Sequence, residues 1–209
     1  MDAASTALLA FAATAGLLTI TPGLDTALVL RTAAAQGPAR AWMAGLGVCF
    51  GCLLWAAVVA VGLGALLSAS RAAYTILQWL GAAYLLWLGV GMLRRPRTAL
   101  APAVAPKRPP GSPFARGALT NLLNPKVGLF YVSLLPRFVP HGAPVAAFIL
   151  LLGAVHALLG LVWFSALIAA TRPISRLLQR PDVLRTLDRA TGGVFVLFGL
   201  GLALDAPRP

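Results

Sequence analysis

Long apolar runs separated by short basic stretches set the pattern of this chain. They extend roughly from Ser5 to Val29, Trp42 to Leu67, Ala72 to Leu93, Leu119 to Val139, Pro144 to Ala170 and Ala190 to Leu204. Five of these runs reach the approximately 20 residues that a membrane-crossing helix needs. The last is short, so its helix is expected either to begin earlier, near Leu184, or to lean on its neighbours. The pattern predicts an all-α integral membrane protein with six transmembrane helices.

Two of the six runs are interrupted. In the first, Thr21-Pro22-Gly23-Leu24-Asp25 places a residue without a backbone N–H beside one without a side chain, which breaks a helix. Thr21 is a good N-cap and Pro22 a favoured first helical residue, so the helix is expected to stop and restart at Pro22. Asp25 would then lie in the first turn of the restarted half, where the helix dipole favours an anion. In the fourth run, Asn124-Pro125-Lys126 repeats the device with a cation. A charge at the centre of a span costs about 2.5–3.5 kcal/mol on insertion scales, so it normally has a partner or a task. Asp25 is read here as the single intramembrane acid and as the partner of Lys126.

Composition supports a membrane protein: 59 % of the 209 residues are hydrophobic and 11 % charged, against about 25 % in soluble chains. The net charge of +12 could suggest nucleic acid, but the basic residues sit between apolar runs and so report orientation. With both termini outside, thirteen Lys and Arg fall in inside loops and only Arg71, Arg137 and Arg208 outside. The N-terminus lacks the basic region of a signal peptide, so the first run is kept as a true span.

The connection from Arg94 to Pro113 holds six prolines in twenty residues and reads as an extended cytoplasmic tether. It divides the chain into residues 1–93, the tether 94–113 and residues 114–209. Each half carries three spans, an odd number, so the second half enters from the opposite side. Leu88-Gly89-Val90-Gly91 echoes Phe198-Gly199-Leu200-Gly201, and the two Pro breaks occupy matching first spans. Two inverted three-helix repeats with interrupted first and fourth helices are therefore expected. The last inside loop, Pro173 to Arg189, mixes leucines with arginines and reads either as an interfacial amphipathic helix or as a solvated loop.

In that arrangement the two restarted half-helices point their positive ends at each other near the midplane, a site for a carboxylate or another anion. The backbone donors at Pro22-Gly23-Leu24 and Lys126-Val127 are expected to hold it, and Asp25 to receive an ammonium, a proton or Lys126. A small zwitterion brings one charge for each. The rival reading is a pair of Pro kinks locked by an ion pair. Thr120, Asn121 and Asn124 could line the same cavity or satisfy freed carbonyls. His156 could relay protons or hydrogen-bond between helices. Gly47 and Gly51 permit close helix approach, within the bundle or in a homodimer, the first being favoured. Cys49 and Cys52 read as small buried residues. No cofactor, resident metal or nucleic-acid partner is expected. An enzyme is not expected either, since no Ser/His/Asp set or paired carboxylates share a depth.

Thr21-Pro22-Gly23-Leu24-Asp25 followed by Leu30-Arg31, Gln36-Gly37 and Gly45-Leu46-Gly47 resembles the opening of the lysine exporter and homoserine/threonine resistance (LysE/RhtB) family. Trp79-Leu80-Gly81-Ala82-Ala83-Tyr84-Leu85 with Trp87-Leu88-Gly89 is similar to that family's third-span motif. Asn121-Leu122-Leu123-Asn124-Pro125-Lys126, with Phe114, Gly117 and Arg137-Phe138, is similar to its fourth. Leu24 stands where the family usually has Pro. The resemblance implies export of amino acids or close derivatives across the bacterial inner membrane, driven by the proton-motive force through antiport. Its distant relatives suggest a metal-cation exporter as a rival, and a lipid-acting or accessory membrane protein is the reading from another class.

Overall fold

The computed structural model describes residues 2–69, 71–98, 111–178 and 180–205, and the secondary structure among them is helical throughout. The centre of the Pro-rich connection, residues 99–110, lies outside the described residues, as does Arg208.

Asp2 opens the fold as a cap: its carboxylate accepts the Ser5 N–H at 2.8 Å, and α1 runs over Ala3–Ile20. The chain leaves helix for three residues and re-enters it in α2, Leu24–Gln36. Gly37, with φ 87°, ends α2 in the left-handed region that favours glycine. Pro38 then starts α3, Pro38–Ala69, and α4 covers Arg71–Arg94. The second half repeats the broken opening. α5, Pro113–Leu122, and α6, Pro125–Leu134, are each 10 residues long, and α6 runs into a 3₁₀ turn at Leu135–Phe138. Ten residues rise about 15 Å, half of a hydrocarbon layer. α7, Val145–Ala169, the short α8, Thr171–Leu178, and α9, Pro181–Asp205, complete the chain.

By length and composition, four helices among the described residues can cross a membrane: α1, α3 through Gly62, α7 and α9. The last begins earlier than its apolar run. Pro181 at the start and Asp182 in the first turn are a favourable helix opening, which brings Leu184 and Asp188 into α9. The basic stretch before it is therefore helical rather than a loop. α8 is amphipathic, with Leu178 buried and Ile174 packed on the core.

Phe11, Phe130, Tyr131, Ile149, Leu152 and Phe195 are fully or almost fully buried and form the centre of the bundle. Outside it, Leu46, Val61, Leu80, Leu158, Val162 and Leu197 are exposed. Such an apolar exterior suits hydrocarbon and not water.

Glycines set two of the helix contacts. A Cβ on Gly47 would strike the carbonyl oxygen of Phe114, and one on Gly117 the carbonyl oxygen of Ala44, so the backbones of α3 and α5 touch. Gly89 of α4 and Gly192 of α9 likewise face each other's carbonyl oxygens. The Gly47–Gly51 pair is thus used within the chain: a Cβ on Gly51 would meet the Asn121 side chain.

Candidate functional site

The first break is built differently from its local sequence signals. Thr21 ends α1 instead of capping α2: its N–H and its hydroxyl both donate to the Leu17 carbonyl, at 3.1 and 2.7 Å. Its hydroxyl also meets that of Thr191 on α9. With the Thr21 side chain held in this way, the cap of α2 falls to Gly23, whose backbone is extended, and α2 starts at Leu24 rather than Pro22. Gly23 has no side chain to cap with, so the first-turn N–H groups of α2 remain open to a ligand. Asp25 lies in that first turn, as expected.

At the second break Asn124 caps α6, its Oδ1 accepting the Lys126 N–H at 3.2 Å, with Pro125 in the first position. The Val127 and Gly128 N–H groups both donate to the Asn124 carbonyl at 3.0 Å. The donors of Lys126 and Val127 are therefore occupied. A carboxylate would find open backbone donors at α2 and not at α6.

Thr21, Gly23, Asp25, Asn121, Asn124, Lys126 and His156 converge on one cavity of ≈ 50 Å³ between the breaks. Pro22 faces a second recess, and Pro125 and Thr120 line neither. Within the cavity the Asn121 Nδ2 donates to Asp25 Oδ2 at 3.0 Å and to the Cys52 Sγ at 3.5 Å. Asp25 Oδ1 and Asn121 Oδ1 are buried without partners. The expected Asp25–Lys126 ion pair is absent among the described residues. An amide on α5 takes the cation's place, and Lys126 shares the wall of this cavity with Asp25 and that of a second recess with Asp188.

His156 is held between helices. Its Nδ1 and the Tyr131 hydroxyl are 2.9 Å apart, their rings stack at 5.5 Å, and Phe11 and Phe130 approach it edge-on. Cys49 and Cys52 are free, buried and in the same cavity wall. Among the described residues no three His, Cys, Asp or Glu side chains are grouped to hold a metal.

A second buried acid, Asp188, lies on α9. It is 1 % exposed and held by Arg97: the Arg97 N–H and Nε donate to Oδ2 at 2.8 and 3.0 Å, and Nη2 to Oδ1 at 2.5 Å. Its sequence signal was the Pro181-Asp182 helix opening, which extends the last helix back over it. Thr191 and Tyr131 carried no signal, being ordinary residues of apolar runs.

Paired helix breaks around a buried carboxylate, inside an apolar exterior, define a membrane transport protein. The chain belongs to the LysE type translocator family, whose model matches residues 16–206. It is 31 % identical over 194 residues to the homoserine/homoserine lactone efflux protein of Salmonella typhimurium, covering 93 % of this chain and 94 % of that one. It is 30 % identical to the leucine efflux protein of Enterobacter sp., covering 89 % and 90 %. The uncharacterized membrane protein YrhP of Bacillus subtilis is 29 % identical, covering 95 % and 99 %. No solved structure matches the chain.

Proposed function

We propose that this protein exports an amino acid or a close derivative from the cytoplasm across the bacterial inner membrane, in exchange for protons. The observation that carries the reading is the Asp25 carboxylate, buried between two helix breaks with one oxygen bonded to Asn121 and the other without a partner. A buried, half-satisfied carboxylate is poised to take a proton or an ammonium. The efflux proteins it resembles over nine-tenths of its length support an amino-acid substrate.

Transport would proceed by alternating access of two inverted three-helix repeats, α1–α4 and α5–α9, with both termini outside. The pairing of α3 with α7 and of α4 with α9 supports this, since each joins corresponding members of the two halves. In this mechanism the open first turn of α2 receives the substrate carboxylate, Asp25 carries the proton or the ammonium, and Lys126 balances its charge when the carboxylate is ionised.

The test is efflux from cells loaded with amino acids by dipeptide feeding, across the twenty amino acids and homoserine. Cells expressing the wild type should release one or a few faster, and Asp25→Asn cells, with the protein still inserted, should match empty cells. Full activity of Asp25→Asn would overturn the assignment.

A further inference from the structure

The cavity around Asp25, at ≈ 50 Å³, has room for a few waters but not for an amino acid. A second recess of ≈ 370 Å³ lies directly against it, and Gly23 and Lys126 stand in the walls of both. This larger recess sits between the Pro22–Gly23 break, the C-terminal part of α4 with Arg95 and Arg97 that follow it, and Asp188 of α9.

Its wall has two chemistries. Trp87, Leu88 and Met92 offer an apolar surface, with Gly91 leaving the space beside them open. Lys126, Arg95 and Arg97 offer cations, and Asp188 is the acid of the wall. Arg97 already neutralises Asp188 through three hydrogen bonds. Lys126 and Arg95 have no ion-pair partner among the described residues. The uncompensated charge of the recess is therefore positive, beside an aromatic and aliphatic face.

We propose that this recess is the cytoplasmic docking site for the substrate, and that it selects an amino acid with a free carboxylate and an apolar side chain. Arg95 and Lys126 take the carboxylate, while Trp87, Leu88 and Met92 take the side chain. In the docked state the Asp25 cavity next door holds only water and the proton, and the carboxylate passes on to the first turn of α2 in the translocation step, with Lys126, shared by both walls, coupling the two. This rests on the exporter reading above and deepens it: esters, amides and lactones, which lack the carboxylate, would dock poorly.

The experiment is equilibrium binding of L-leucine and of L-leucine methyl ester to purified protein in phosphatidylcholine nanodiscs. Trp87 is 70 % exposed, so Trp87→Ala should fold, and a monodisperse elution profile checks it and Arg95→Gln alike. The wild type should bind leucine and bind the ester about tenfold or more weakly. Trp87→Ala and Arg95→Gln should each weaken leucine binding by about tenfold. Leu197→Ala, on the apolar exterior and in the wall of neither cavity, should bind leucine within about twofold of wild type. Equal binding of ester and leucine, or leucine binding unchanged in both recess variants, would overturn the docking site while leaving the exporter standing. Wild-type protein that binds leucine in neither form, and that in cells releases no amino acid, would overturn both.

Discussion

The hydroxyls of Thr21 and Thr191 are hydrogen-bonded to each other across 170 positions of sequence, both buried. The first helix break is thereby fastened to α9, in the opposite half of the chain. Thr21→Val keeps the shape but leaves the Thr191 hydroxyl buried with no partner, which costs about 1–3 kcal/mol. Thr21→Val/Thr191→Val removes both hydroxyls and should regain part of that loss. Thermal unfolding of the purified variants in detergent reads the difference; a double variant no more stable than the single would show that the pair is not coupled.

The contact between α3 and α5 predicts a position-dependent response to added bulk. Gly47→Val places a branched side chain against the Phe114 carbonyl and should destabilise by about 1–3 kcal/mol or prevent folding. Gly16 lies in the interior of α1 with open space beside it, and Gly16→Ala should be neutral or gain up to about 1 kcal/mol from helix propensity. Yield of folded protein by fluorescence-detected size exclusion separates the two, and equal tolerance would refute the close approach.

Arg97→Met strips the Asp188 carboxylate of two of its three donors while it stays buried. The expected loss is about 2 kcal/mol, below that of a fully buried pair because the Arg97 side chain keeps 40 % exposure. Adding Asp188→Asn removes the stranded charge and should restore part of the stability. Chemical denaturation followed by tryptophan fluorescence measures both. If Asp188→Asn deepened the defect instead, the carboxylate would have another partner to satisfy.

The two helix breaks were legible in the sequence because their causes are local: Pro removes a donor, and Asn124 caps within two residues of itself. Which residue capped α2 was not, because Thr21 is drawn away by Leu17 and by Thr191, a neighbour that only tertiary packing supplies. The convergence of Asp25, Asn121, Asn124 and His156 could be anticipated from charge and polarity at depth. The Asn121 bond to Asp25 could not, since choosing between an amide and Lys126 requires knowing that α5 is pressed against α3 by Gly47 and Gly117. Asp188 was hidden by its company: among five arginines it reads as an inside-loop residue even with the helix begun near Leu184, and its burial against Arg97 comes from tertiary packing alone.

The close approach of α3 and α5 at Gly47 and Gly117 also bears on how the chain is made. Gly47 emerges from the ribosome long before Gly117, and the residues that complete the first break, Asn121 and Thr191, follow later still. Until then the nascent first half carries Asp25 without its hydrogen-bond donor and Gly47 without the surface it fits. The halves therefore mature together, and synthesis of the second is the event that seats the carboxylate of the first.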